Sequence, residues 1–411
     1  MKLYQHLCNM LPQFEEMLSN INNNTSPTLI VGLSDVHKAH FIFSTAMETQ
    51  KKVLVLTRDE QTARRFVEDI NAMNGKEIAY VYPARDFTFR QVESVSREYE
   101  QIRLGVLSRL QNNECEVVVC SIEAALQLTL PPTYLKARTF TINKNKDYDV
   151  ATLMEMLLKC GYTRKPQVEG VAQFSLRGGI LDVYAPNQDK PVRIEFWDRQ
   201  IDTMAYFDIT SQRRTDNVSS IKITPATEVL FDNLDTLKQK LQSLLVKTKS
   251  LKAAENIKSD IARIEAEYEL NSLDKYLPLA YEQSATIFDY FSDECIFVSE
   301  YASIKEQSKS FLWQHHEDIK ILFEEGELTK GLDKYCEEFS YVQSKIAQSN
   351  AVYLDTFART NADVLYKSLI SINPIQTSGW GGELKLLRED ITPMLENGYC
   401  VAILAGTQKA A

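Results

Sequence analysis

Gly32-Leu-Ser-Asp-Val-His-Lys-Ala39 is the most informative stretch of the sequence. It follows the apolar run Leu29-Ile-Val31 and leads into a helix-compatible sequence. A strand, a loop and a helix in this order form the context in which the motif GxxxxGK(S/T) binds nucleoside triphosphates. Gly32 and Lys38 stand at the first glycine and the lysine of that motif. The stretch therefore points to the architecture of a phosphate-loop domain.

Two residues in this stretch remove the chemistry of a working phosphate loop. His37 replaces the second glycine, so the backbone no longer easily enters the left-handed conformations that turn amides toward phosphate. Ala39 replaces the hydroxyl residue that would ligate Mg²⁺. We expect Gly32, His37, Lys38 and Ala39 to form a degenerate phosphate loop without nucleotide hydrolysis. Taken alone, the partial match also fits an ordinary strand–helix turn.

The length and charge of the chain narrow the classes of function. With 411 residues the chain is too long for one core, and the usual ~100–200 residues per domain predict several domains. The formal net charge of −10 argues against broad, non-specific nucleic-acid binding, which needs a basic surface. No apolar run approaches the ~20 residues that cross a bilayer, and the first residues lack a secretory signal. We therefore expect a cytoplasmic protein with no membrane partner.

Cysteine and histidine spacing gives no sign of a metal site. The seven cysteines are scattered without a CxxC pair, which argues for reduced thiols rather than zinc ligands. The adjacent His315 and His316 fit a solvated helix face better than a ligand set. We expect these residues to bind no metal.

Strand-like and helix-like patterns alternate over the first ~130 residues, which is typical of a parallel sheet covered on both faces. From residue 138 the pattern changes to a helix followed by strands of period two, which is typical of a small α+β domain. The α/β pattern then resumes around two amphipathic helices, for which a coiled coil is the less favoured alternative. The predicted strands are 29–31, 53–57, 78–82, 116–120, 173–184, 192–197, 203–209, 221–223, 296–299, 351–355, 368–372 and 401–404.

These patterns predict an α/β fold in which a P-loop-like, parallel-sheet domain is split by an inserted α+β domain. The chain stops directly after a predicted strand, and an α/β unit that ends there leaves an apolar face of its sheet uncovered. We therefore expect the chain to be the front part of a longer protein. The predicted boundaries are 1–137 and 219–346 for the two halves of the first domain, 138–218 for the insert, and 347–411 for the start of another α/β domain.

Two segments carry a family resemblance: Phe174-Ser-Leu-Arg-Gly-Gly-Ile-Leu-Asp-Val-Tyr184 and Pro191-Val-Arg-Ile-Glu-Phe-Trp-Asp198. With Phe207-Asp208 and Ser211-Gln-Arg213, they resemble the second domain of the bacterial transcription-repair coupling factors (Mfd), a domain shared with the excision-repair protein UvrB. Further segments follow in the family's order. They are Tyr82-Pro-Ala-Arg-Asp86, Ser96-Arg-Glu-Tyr-Glu-Gln-Ile-Arg103, Ile287-Phe-Asp-Tyr290 and Ile296-Phe-Val-Ser-Glu300.

The resemblance covers essentially the whole chain and implies the N-terminal, UvrB-homology region of that family, with a helicase-type first domain. It implies that the inserted domain binds UvrA, while other domains of the full-length protein bind RNA polymerase and DNA. It also implies that the full-length protein is an ATP-dependent DNA translocase. ATP and Mg²⁺ are expected only in the translocase domains, so this region is expected to be non-enzymatic and free of cofactors.

The inserted domain offers a candidate docking face. Alternation along 192–197 places Arg193, Glu195 and Trp197 on the face opposite the core. Exposed tryptophan and arginine are the residue types enriched at binding hot spots. The resemblance implies that Arg177, Arg193 and Trp197 contact UvrA, with Arg177 joining the patch if its strand lies beside that of Arg193. The alternative is that Arg193 pairs with Glu195 or Asp198 and that Trp197 covers a neighbouring domain.

A UvrB-like ATPase that acts directly on damaged DNA is the alternative function. His37 and Ala39 argue against it, as does the short segment 85–94, which lacks the tyrosine-rich hairpin of UvrB. Phe87 and Phe89 remain there, and we expect them to pack on the protein rather than stack on bases.

Overall fold

The computed structural model describes residues 2–92, 95–266, 270–359, 363–374, 380, 382–399 and 401. The chain divides into two compact units, Met1–Ile372 and Asn373–Ala411. In the second unit the described secondary structure is one helix. No helix among the described residues has the length and apolar character needed to cross a membrane.

The described strands are β1 (Thr28–Val31), β2 (Lys52–Thr57), β3 (Ala79–Tyr82), β4 (Val117–Ser121), β5 (Phe140–Asn143), β6 (Thr163–Arg164), β7 (Gln173–Arg177), β8 (Ile180–Tyr184), β9 (Val192–Trp197), β10 (Gln200–Phe207), β11 (Arg214–Asn217), β12 (Ser220–Ile223), β13 (Glu294–Ser299), β14 (Asn350–Asp355) and β15 (Ser368–Ser371). The described α-helices are α1 (Lys2–Asn9), α2 (Pro12–Asn22), α3 (Asp35–Thr49), α4 (Glu60–Asn74), α5 (Glu98–Gln111), α6 (Ile122–Leu126), α7 (Pro132–Ala137), α8 (Val150–Lys159), α9 (Leu234–Lys247), α10 (Leu251–Glu265), α11 (Leu277–Ala280), α12 (Tyr301–Glu324), α13 (Phe339–Gln348) and α14 (Leu384–Glu396).

The first domain is built on a seven-stranded sheet in the order β15-β1-β14-β13-β2-β4-β3, with every described pairing parallel. Its central strands are apolar throughout because both faces are covered. In β2, for example, Val53 and Val55 join one core while Leu54 and Leu56 join the other. The predicted parallel α/β sheet covered on both faces is therefore confirmed.

The structure corrects the predicted start of a third domain at residue 347. β14 pairs with β1 and β13, and β15 pairs with β1, so both strands belong to the first sheet. The residue pattern of a strand shows which of its faces are buried, but it does not show which distant strand pairs with it. The domain boundary at residue 347 was misplaced for this reason. The predicted strand at 401–404 lies outside the described residues except for Val401.

The insert contains a six-stranded sheet in the order β11-β10-β9-β8-β7-β6, antiparallel except between β6 and β7. The predicted run 173–184 is a hairpin that turns at Gly178 and Gly179. Gly178 has a positive φ of 58°. A Cβ on Gly179 would lie 2.9 Å from the carbonyl oxygen of Phe196, so only glycine fits this close approach.

The predicted end of the insert, where the α/β pattern was expected to resume, lies too early in the chain. β12, at the predicted strand 221–223, pairs antiparallel with β5. Ile221 and Ile223 are buried in the core of the insert together with Leu153 and Leu157 of α8. The insert therefore extends past the predicted boundary at residue 218. The period-two pattern of a short strand does not reveal which core it joins.

A buried charge network joins the insert to the first domain. Arg103 on α5 lies 2.6 Å from Glu228, and both side chains are fully buried. Glu100, one turn earlier, accepts hydrogen bonds from the Thr227 hydroxyl at 2.7 Å and the Glu228 amide at 2.6 Å. Burial raises the pKa of Glu100, but Arg85 and Arg97 outweigh it and hold that pKa at about 2. Glu100 therefore stays ionised, and the network fixes the chain where it leaves the insert.

Arg103→Met should destabilise the protein by about 3–5 kcal/mol, because it leaves the buried Glu228 without its strongest partner. Arg109→Met is the matched control on the same helix. Its ion-pair partner Asp189 is 93% exposed and stays solvated when Arg109 is replaced, so the loss of the pair should cost about 1 kcal/mol. Chemical denaturation measures both changes. Equal losses in the two variants would contradict a special role for the buried network.

Candidate functional site

The degenerate phosphate loop lies at the carboxyl end of β1. Gly32 has a positive φ of 96°, and a Cβ there would lie 1.8 Å from the carbonyl oxygen of Ile372. The glycine is thus required by the close approach of the chain that follows β15, independently of any ligand. α3 begins at Asp35, and His37 Nδ1 lies 3.0 Å from the Ser34 hydroxyl. Ala39 is fully buried in the core beneath α3.

The lysine of the loop is held by the protein's own carboxylates. The Lys38 side chain is fully buried, and its Nζ lies 2.7 Å from Glu300 and 3.4 Å from Asp35. Glu300 also accepts a hydrogen bond from the Thr356 amide at 2.7 Å. Burial raises the pKa of Glu300, but the bonds from Lys38 and Thr356 outweigh it and lower that pKa below its ordinary value. The ionised Glu300 carboxylate therefore forms an ion pair with Lys38.

A third carboxylate adds negative charge at the loop. Asp355, at the end of β14, is 1% exposed, and neither of its carboxylate oxygens has a hydrogen-bond partner among the described residues. Burial, followed by the charge of Glu300, raises the pKa of Asp355 to about 6. Carboxylates thus outnumber ammonium groups around the loop, an arrangement that repels phosphate.

The candidate docking face includes the outward side chains of β9. Val192 and Ile194 are buried while Arg193 and Glu195 lie on the opposite face, as the alternation predicted. Trp197 is 81% exposed, so within the described residues it does not cover a neighbouring domain. A large apolar side chain left this open is available to a partner.

Arg193 differs from both expectations for it, since it is neither free nor paired with Glu195 or Asp198. Its Nε and Nη2 donate to the two carboxylate oxygens of Asp182 at 2.7 and 2.9 Å. Its Nη1 donates to the Gln212 carbonyl at 3.1 Å, and its guanidinium lies 4.6 Å from the centre of the Phe207 ring. Only 15% of the side chain is exposed. Arg193 is chiefly an internal residue of the insert.

Arg177 does not lie on a strand adjacent to β9, because β8 separates β7 from β9. Asp182 on β8 bridges the gap and accepts a hydrogen bond from Arg177 Nη2 at 2.8 Å. The Arg177 side chain remains 47% exposed. The structure thus links Arg177 and Arg193 through Asp182, a residue that the sequence analysis missed. The available signal was an acidic residue within the otherwise apolar strand Ile180–Tyr184.

The structure also places the two phenylalanines of segment 85–94 and, on the insert, the basic residue Arg214. Phe87 and Phe89 pack against Tyr335, with ring centres 5.5 and 4.8 Å away, which agrees with a packing role. Arg214 on β11 pairs with Glu195 at 3.2 Å on the docking side of the sheet. Among the described residues, no group of three or more histidine, cysteine or acidic side chains has the arrangement of a metal site.

The fold combines a seven-stranded parallel sheet with the mostly antiparallel sheet of the α+β insert. Residues 140–229 match the family described as the UvrB interaction domain, and Arg177, Arg193 and Trp197 lie within the match. The chain is similar to the transcription-repair-coupling factor of Bacillus subtilis (strain 168), with 25% identity over 409 residues, covering 96% of this chain and 34% of the relative. The factor of Staphylococcus haemolyticus is 26% identical over 392 residues, covering 92% of this chain and 33% of the relative. The chain therefore spans about a third of these relatives' length, and the resemblance predicted from the sequence is confirmed.

Asp355→Asn should change how stability depends on pH. The folded-state pKa of Asp355, about 6, exceeds its ordinary value of 3.8, so its stabilising contribution is present at low pH and lost as the pH rises through about 6. Asparagine does not titrate. The variant's unfolding free energy relative to wild type should therefore rise by about 2 kcal/mol from pH 4 to pH 7.

Chemical denaturation at the two pH values measures this difference. Asp189→Asn is the control, because its carboxylate is 93% exposed. A difference between Asp355→Asn and wild type that stays constant with pH would rule out the buried ionisation.

Proposed function

We propose that this chain is a non-catalytic docking module that recruits UvrA to sites of stalled transcription for nucleotide excision repair. The observation that carries the proposal is the exposed indole of Trp197 on the outer face of the insert, inside the segment that matches the UvrB interaction domain. The names of the relatives supply the transcription-repair context. UvrA is the partner implied by the UvrB-like character of the insert.

The chemistry of the face suits a protein partner. The indole offers a large rigid apolar surface, and tryptophan and arginine dominate the residues whose truncation costs most at interfaces. Arg177 adds a half-exposed guanidinium that can bind a partner carboxylate through two parallel hydrogen bonds. The proposed partner surface therefore combines an apolar pocket with an acidic side chain.

The same proposal assigns no enzymatic activity to this region. Glu300 neutralises Lys38, and the buried Ala39 provides no hydroxyl for Mg²⁺. In the proposal, the complete protein is an ATP-dependent DNA translocase that displaces RNA polymerase. Its ATP, Mg²⁺, RNA polymerase and DNA contacts then belong to the two-thirds of the relatives' length that this chain does not span.

A UvrB-like ATP-dependent DNA damage-binding protein is the alternative function. The similarity of the insert to UvrB supports it, but the ion pair between Lys38 and Glu300 opposes it. Nucleotide binding separates the two functions.

Trp197→Ala should weaken the binding of UvrA by about 30-fold, equivalent to about 2 kcal/mol, because the indole is the main apolar contact of the face. Calorimetric titration with UvrA measures the change. Trp313→Ala is the matched control, since Trp313 is 66% exposed on α12, outside the insert. Unchanged affinity in Trp197→Ala, or equal losses in both variants, would refute the docking face.

Titration with Mg²⁺-ATP should show no saturable binding and no turnover, with UvrB as the positive control. Replacing His37 by glycine and Ala39 by serine rebuilds the motif but should not restore binding while Glu300 still occupies Lys38. Adding Glu300→Gln tests whether the ion pair between Lys38 and Glu300 is what prevents nucleotide binding. Saturable binding with turnover by the unmodified chain would favour the UvrB-like ATPase.

A further inference from the structure

A buried carboxylate, Asp182, lies beneath the outer face of the insert. Asp182 lies at the centre of β8 and is fully buried. Its register partner on β9 is Arg193, and β7 with Arg177 flanks its other side. One buried aspartate therefore binds two guanidinium groups, at 2.7, 2.8 and 2.9 Å. This leaves one net positive charge on the trio.

The two arginines use this carboxylate differently. Arg193 donates four hydrogen bonds to Asp182 and Gln212, which occupy most of the N–H groups of its guanidinium. It therefore has little left to offer a partner. Among the described residues, Arg177 donates one hydrogen bond, from Nη2 to Asp182, and its side chain is 47% exposed. Its other N–H groups are available for a fork-like contact with a carboxylate.

We propose that Asp182 is a positioning residue of the docking face, which holds the Arg177 guanidinium ready to receive an acidic side chain of the partner. Arg193 balances the negative charge of Asp182 inside the insert and so supports Arg177 indirectly. A flexible arginine loses side-chain freedom when it binds, and anchoring beforehand removes much of that loss. This inference rests on the proposed docking function and assigns separate roles to the two arginines.

The test is a double-mutant cycle in binding to UvrA. Asp182→Asn should weaken binding by about fivefold, since it frees Arg177 while preserving the shape of the side chain. In an Arg177→Ala background, Asp182→Asn should cause no further loss, because the residue it positions is gone. A purely structural role for Asp182 would produce the same loss in both backgrounds. That outcome would overturn the proposal.

Glu155→Gln is the matched control for the change in charge. Glu155 lies on α8, which packs on the buried face of the same sheet, and its side chain is 72% exposed. Its replacement should leave UvrA binding unchanged. A fivefold loss in this control as well would trace the effect to net charge and overturn positioning. If Trp197→Ala binds normally, the docking function itself fails, whatever Asp182→Asn does.

A second measurement covers the case in which Asp182→Asn fails to fold. Arginine side-chain NMR of the wild-type chain, with Arg177→Lys to assign the signal, reports the mobility of the Arg177 Nε–H group before any partner is added. A signal as ordered as that of Arg193 is expected. A freely mobile Arg177 in the unbound protein would overturn the proposal.

Discussion

The architecture depends on a buried charge network where the chain leaves the insert. Glu100 and Arg103 on α5 bind Thr227 and Glu228, and Arg85 brings Asp274 into the same cluster at 3.1 Å. Burying charges is costly unless every one is paired, so the network tolerates few alternative arrangements. It therefore fixes the base of the insert on the parallel sheet that carries the phosphate loop.

At both candidate sites an internal carboxylate pairs with a basic side chain, but the consequences for binding are opposite. At the phosphate loop, Glu300 pairs with the buried Lys38, so the loop lysine is not free to bind a phosphate. On the insert, Asp182 satisfies Arg193 but leaves about half of the Arg177 side chain exposed. An internal carboxylate thus blocks the lysine at the phosphate loop, whereas on the insert it holds an arginine that remains partly exposed. The difference is burial, because a partly exposed guanidinium keeps donors that a partner can use.

Much of the local structure was predictable because it follows from patterns of two or three residues. The strand Val192–Trp197 was predicted with its observed limits and its correct buried face. The apolar runs of β2 and β4 predicted strands covered on both sides. The family resemblance also followed from ordered segments of sequence. By contrast, β14 and β15 were assigned to the wrong domain, because strand order depends on pairing between residues more than 300 positions apart.

Local sequence specifies the strands and helices, the alternation that exposes Trp197, and the loss of the glycine and hydroxyl from the phosphate loop, since each is a property of neighbouring residues. Which charges meet depends on how the chain folds. Glu300, which directly follows β13, reaches Lys38 from 262 residues further along the chain, and Asp182 joins two arginines because β8 lies between their strands. Ion pairs depend on distances of a few ångströms in space, and spacing along the chain does not specify those distances.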